Sequence, residues 1–226
     1  MERTRTPRVK ICCISSLEEA ALAIELGASA LGLVSQMPSG PGVISEALIT
    51  EIAASVPPAV ATFLLTSKQD AHEIVKQQRS CRTNCIQICD RLTSGTYRNL
   101  RDALPGISLI QVIHVTGRES IGEAVQLSPH VDAILLDSGN QSLAVKELGG
   151  TGRIHDWTLS REIRERISIP MFLAGGLTAG NVQQAIRDVG PFGLDVCSGV
   201  RTDGKLDRSK LQAFFDAIKS WTPSTQ

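Results

Sequence analysis

Short apolar runs alternate eight times with helix-like stretches along this chain, and no other property of the sequence limits the fold as strongly. The runs fall at residues 9–14, 28–34, 59–65, 84–88, 108–115, 133–137, 170–174 and 193–197, and a helix-like segment follows each. Punctuation residues support the pattern. Ser16 followed by Glu18 and Glu19 starts the first helix and Gly27 stops it, while Ser45 opens the second and Pro57-Pro58 closes it. Strands separated by helices run parallel, so eight such pairs without a break in composition predict an α/β protein closed into a single (β/α)8, or TIM, barrel. At 226 residues the chain is long enough for one such barrel. The barrel is expected over residues 9–221, with an N-terminal extension at 1–8 and a loose tail at 222–226.

Charge and cysteine usage narrow the function classes. Lys plus Arg equals Asp plus Glu at 23 each, which gives no basic field for nucleic acid. The basic residues 1–8 are followed by no signal-peptide apolar region, and no run approaches a membrane span, so a cytoplasmic protein with no membrane partner is expected. The six cysteines do not form a disulfide-framework pattern, and reduced thiols are expected. Cys81, Cys85 and Cys89 lack a CxxC pair or nearby histidines, which argues against a metal site. The pattern leaves the oligomeric state open.

Barrel active sites gather at the C-terminal strand ends, here Cys12, Gln87, Cys89, Asp137 and Asp195. Strand alternation points Lys10 and Cys12 inward if Val9, Ile11 and Cys13 pack outward against helices. Cys12 is then the chemical candidate, against the alternative of a small buried hydrophobe. Asp137 ends the apolar run Ile134-Leu135-Leu136, where an unpaired charge would be costly, so it reads as functional or hydrogen-bonded. A thiolate and a carboxyl group at two strand ends could serve as base and acid across a substrate. The last two strands end in Gly175-Gly176 and Ser198-Gly199, turns that either bring N–H groups to a phosphate or simply turn tightly. If phosphate binds there, valine at Gly176 or Gly199 is expected to weaken binding and leave the fold intact. His155 and Asp156 either position a ligand or cap the next helix, and His114 reads as structural.

Five segments together carry a specific likeness: Val9-Lys10-Ile11-Cys12, Leu135-Leu136-Asp137, Gly149-Gly150-Thr151-Gly152 with Asp156-Trp157, Ala174-Gly175-Gly176-Leu177 with Asn181-Val182, and Asp195-Val196-Cys197-Ser198-Gly199-Val200. On these the chain resembles the phosphoribosylanthranilate isomerase family of tryptophan biosynthesis, from Val9 to about Ile218. The resemblance implies an aldose–ketose isomerase that performs the Amadori rearrangement of N-(5-phosphoribosyl)anthranilate with no external cofactor and no metal. Carried over, Cys12 is the general base, Asp137 the general acid, and Gly175, Gly176, Ser198 and Gly199 hold the substrate phosphate. Gln87, Gly150, Gly152 and Arg153 become further substrate-binding positions. Four departures stand out, one being Arg153 where the family has a lysine after the GGTG turn. Cys13 replaces the glycine of the family's KICG, Gln87-Ile88-Cys89-Asp90 replaces QLHG, and Pro41 or Gly42 stands where a loop arginine would help hold the anthranilate carboxylate. A related isomerase acting on another phosphorylated sugar and a noncatalytic phosphometabolite-binding paralogue are the alternatives.

Overall fold

The computed structural model describes residues 6–150 and 152–221. Residues 1–5 of the expected extension and the expected tail at 222–226 lie outside the described residues. Among those described, eight parallel strands pair in sequence order and close on themselves: β1 (Arg8–Ile11), β2 (Ala30–Val34), β3 (Ala61–Thr66), β4 (Cys85–Ile88), β5 (Ser108–His114), β6 (Ala133–Asp137), β7 (Met171–Leu173) and β8 (Gly193–Val196). Helices α1 (Leu17–Leu26), α2 (Glu46–Ser55), α3 (Ala71–Cys81), α4 (Tyr97–Ala103), α5 (Glu119–Leu127), α6 (Trp157–Arg166), α7 (Val182–Val189) and α8 (Arg208–Lys219) alternate with the strands. The barrel closes where β1 meets β8, with Lys10 opposite Asp195 and Ile11 opposite Val196.

Local chemistry sets the helix ends. Ser16, Ser45, Asp70, Asp156 and Asp207 each accept a backbone N–H from the first turn of the helix that follows, and Thr96 with Asn99 forms a capping box. Gly27 ends α1 at φ 112°, a conformation that favours glycine. Each helix lays an apolar face on the sheet, and the larger core, with Ile11, Leu64, Ile86, Ile134, Leu194 and Phe214, fills the space between strands and helices. A second cluster lies on the other face of the strands. There Phe63 meets Phe172 edge-on at 5.9 Å, and Phe172 meets Phe192 at 5.6 Å.

Three expectations need correction. Arg8 belongs to β1 rather than to the extension, and β1 stops at Ile11 rather than at residue 14. Cys13 therefore does not follow the strand alternation: its φ of 62° turns it out of the β conformation, and it packs with the inner cluster instead of against the helices. A short hairpin, β9 (Arg201–Thr202) with β10 (Lys205–Leu206), and 3₁₀ turns at Ser128–His130 and Ser198–Val200 lack a period long enough to be read in the sequence. No helix among the described residues is long and apolar enough to cross a membrane.

Candidate active site

The C-terminal ends of the strands surround a pocket with about 670 Å³ of empty space that opens to solvent. Cys12, Gln87, Cys89, Asp137 and Asp195 all line it, and so do Gly150, Gly152, Gly175, Gly176 and Ser198. Residues far apart in the chain thus share one cavity, as the strand-end argument required. Two loops roof it. Ser39 Oγ, in the loop after β2, donates to the Lys146 carbonyl at 2.7 Å, and Pro41 lies against Gly150 of the loop after β6. The roof positions are small because they press together: a Cβ on Gly150 would come 2.6 Å from Pro41 Cδ.

Cys12 follows β1 directly and is fixed by its N–H, which donates to the Val196 carbonyl at 2.9 Å. Its thiol leans on β2 at Gly32, where a Cβ would come 3.0 Å from Cys12 Sγ and equally close to Lys10 Nζ. Asp137 is the last residue of β6, three strands around the ring from β1. Its Oδ1 accepts the Ser138 N–H at 2.7 Å, and Gly149 lies beside its Oδ2, so close that a Cβ there would sit at 2.7 Å. Both side chains are largely buried yet face the cavity. Gln87 is also buried, and its Oε1 has no hydrogen-bond partner among the described residues.

Below the pocket, Lys10 is wholly buried. Its Nζ meets Asp195 Oδ1 at 2.9 Å and lies 5.4 Å from the centre of the Phe63 ring. Burial disfavours the ammonium, but the charge of Asp195, reinforced by that of Cys12, outweighs it and holds Lys10 above its ordinary pKa. Arg201 was not visible as a site residue. Its guanidinium donates to the Cys12 carbonyl at 3.2 Å and also to the Cys13 carbonyl, and Glu19 of α1 pairs with it at 2.9 Å. The sequence separation of 182 or more between these partners hides the contact.

The phosphate candidates divide. Gly175 and Gly176 have φ of 84° and 61° and line the cavity with Ser198. Gly199 is not among the lining residues; a Cβ there would lie 1.9 Å from the Leu177 carbonyl oxygen, so it serves close backbone packing. At Gly176 a Cβ would come 2.7 Å from Ile154 and 2.9 Å from the backbone of Arg153. Valine at either glycine cannot leave the fold intact, contrary to expectation. Arg153 is also outside the lining and pairs with Glu147 on the surface. Asp156 caps α6, and His155 Nε2 meets Ser160 Oγ at 2.7 Å. His114 Nε2 is 3.1 Å from the Cys89 carbonyl, which agrees with a structural role. The Cys81, Cys85, Cys89 series divides between α3, β4 and the turn beyond it, and no residue group among those described could hold a metal ion. Among the described lining residues there is no lysine or arginine.

Comparison with known proteins bears on this arrangement. Residues 9–217 match the family model described as N-(5'phosphoribosyl)anthranilate (PRA) isomerase. The chain is 35% identical to N-(5'-phosphoribosyl)anthranilate isomerase 2 of Methanosarcina mazei over 215 residues, covering 94% of each. It is 34% identical to the corresponding isomerase of Halorubrum lacusprofundi, with 92% of this chain and 94% of the relative covered. Among solved structures, phosphoribosyl anthranilate isomerase from Thermotoga maritima superposes with a TM-score of 0.78 at 29% identity, covering 94% of this chain and 98% of that one. A phosphoribosyl anthranilate isomerase solved with reduced 1-(o-carboxyphenylamino)-1-deoxyribulose 5-phosphate gives 0.76 at 28% identity and the same coverage. The chain belongs to the N-(5'-phosphoribosyl)anthranilate isomerase family.

Proposed function

We propose that this protein isomerises N-(5-phosphoribosyl)anthranilate in tryptophan biosynthesis, with Asp137 as general acid and Cys12 as general base. The observation that carries this reading is that Cys12 and Asp137, 125 positions apart in the chain, line one cavity from strand ends three positions apart around the barrel. Asp137 donates a proton to the furanose ring oxygen, the C1–O bond breaks, and the sugar opens to an iminium. Cys12 then removes the C2 proton, its bonding electrons move toward C1, and the resulting enolamine becomes the 1-amino-2-ketose. C2 is oxidised and C1 reduced within one molecule, so no external redox partner is needed. Gly175, Gly176 and Ser198 would take the phosphate through backbone N–H groups and the serine hydroxyl, with Gly152 beside them. Gly199 would support this turn by its packing, and Arg153 would act from the pocket rim.

The aromatic half of the substrate would lie against Val34, Met37, Leu65 and Leu148, with Gln87 Oε1 free to accept a hydrogen bond. With no lysine or arginine among the described lining residues, recognition of anthranilate would rest on ring packing more than on charge. The phosphorylated small molecule is the partner this site fits, and we place the reaction in the cytoplasm, where the six free thiols would be reduced until an oxidant reaches them.

Purified protein should convert phosphoribosylanthranilate, prepared from anthranilate and ribose 5-phosphate, with loss of anthranilate fluorescence. Cys12→Ala and Asp137→Asn should each lower kcat by about 10² to 10⁴-fold and largely retain binding of a phosphorylated product analogue. Near-normal turnover by Cys12→Ala would reject the thiolate base. Binding without turnover in the wild type would favour the noncatalytic paralogue, and failure of well-expressed protein to rescue a tryptophan auxotroph lacking this step would count against the whole reading.

A further inference from the structure

Two cysteines that the proposed mechanism does not use meet at the inner edge of the same pocket. Cys13 Sγ and Cys197 Sγ are 2.8 Å apart, although 184 residues separate them in the chain. They come together because β1 and β8 are neighbours: Ile11 pairs with Val196, and each cysteine lies just beyond its strand. Cys13 reaches across through its left-handed backbone, and its carbonyl is held by Arg201. A disulfide needs about 2.05 Å between sulfurs, so the pair would close by less than about 1 Å.

We propose that Cys13 and Cys197 form a redox-active dithiol, oxidised by peroxides to a disulfide that crosslinks the closing strands and suppresses turnover. Cys197 is half-buried and lines the pocket, so a small oxidant can reach it, while Cys13 is almost fully buried beside it. The two thiols are electrostatically unequal. The hydrogen bond between the two thiols lowers the Cys197 pKa, burial opposes this, and the Arg201 charge lowers it further. Hydrogen bonds with Cys12 and Cys197, then burial, push the Cys13 thiol up. Cys197 is thereby the attacking sulfur and Cys13 the resolving one.

The chemistry balances with hydrogen peroxide as oxidant. The Cys197 thiolate attacks one peroxide oxygen, the O–O bond breaks, and hydroxide leaves and takes a proton to become water. Sulfur, oxidised by two electrons, is now a sulfenic acid. Cys13 sulfur attacks Cys197 sulfur, the S–O bond breaks, and the departing hydroxide takes the Cys13 proton as a second water. Net, two thiols and one peroxide give one disulfide and two waters, and a dithiol reductant reverses the step. Cys12 adjoins Cys13 in the chain, and both carbonyls hang on Arg201, so closing the bond shifts the residue proposed as base. Only this last consequence rests on the function proposed above.

The test treats the full chain with hydrogen peroxide and maps cysteines by mass spectrometry without reduction. A peptide pair joined through Cys13 and Cys197, two hydrogens lighter than the free peptides, is expected and is read independently of any catalysis. With substrate, turnover should fall at least ten-fold and recover with dithiothreitol. Cys197→Ser and Cys13→Gly, each compared with its own untreated sample, should lose this reversible response; glycine at 13 suits the positive φ, so that variant should fold. Absence of the linked pair, or linkage through Cys12 instead, overturns the proposal. So does an equal reversible loss of activity in both variants. If the pair links but no sample isomerises phosphoribosylanthranilate, the dithiol stands and the assigned reaction fails.

Discussion

Ser198 contributes one of the few side chains on the wall proposed for phosphate, and it is exposed, so it can be changed without disturbing the core. Ser198→Asp should raise KM for the phosphorylated substrate about ten-fold, equivalent to about 1.4 kcal/mol, by placing like charge against the phosphate. Steady-state kinetics with an unchanged thermal midpoint would check it; an unchanged KM would move the phosphate elsewhere. The neighbouring glycines cannot serve this purpose, because side chains at Gly176 and Gly199 would collide with backbone. That distinction was not legible in the sequence, where a glycine that admits a ligand and one that admits another backbone segment look alike. The place of Asp137 on the cavity wall was legible because a carboxylate ending three buried apolar residues has few inexpensive alternatives. The inward placement of Cys12 was legible through period-two alternation, which carries one residue past the end of β1. Cys13 was not, because one positive φ after Ile11 breaks the period.

Among the elements, helices were easier to delimit than strands, since caps are local chemistry. Ser16, Gly27 and Ser45 act as their spacing implied, whereas several strands are shorter than their apolar runs. The β9–β10 hairpin is two residues to a side, too short for any periodicity to reveal. The start of α6 carries a titratable element. His155 Nε2 bonds Ser160 Oγ, and burial lowers the His155 pKa against the opposing charges of Asp137 and Asp156. A histidine held neutral in the fold takes its proton first in the unfolded chain. Its contribution to stability is therefore full above the unfolded pKa of about 6.5 and is lost as pH falls below it. Between pH 7.5 and 5.5 the thermal midpoint of the wild type should drop more than that of His155→Gln. Parallel curves would show that His155 is not the group responsible.

At the scale of the molecule, the barrel is one closed ring, and its seam between β1 and β8 joins the two ends of the fold. The seam holds the buried Lys10–Asp195 pair, 2.9 Å apart. Lys10→Met should cost about 3–5 kcal/mol, since it leaves Asp195 buried without its partner. Lys10→Met with Asp195→Leu should recover part of that loss in urea titrations. If the single variant unfolded at the wild-type urea concentration, the pair would not be what fastens the ring. The fold class was readable because eight alternations leave few other closures, but the pairing of residues 10 and 195 emerges only once the ring is shut. The contact between Cys13 and the loop after β2 constrains substitution in that loop. Gly42 has φ 79°, and a Cβ on it would lie 2.4 Å from Cys13 Cβ. The sequence resemblance expects glycine at 13 and an arginine near 42, so two departures that look separate in the alphabet compete for one volume. In this conformation a side chain at 42 and the Cys13 side chain exclude each other. Restoring a side chain to the loop therefore takes two coordinated changes, one at 42 and one that empties position 13.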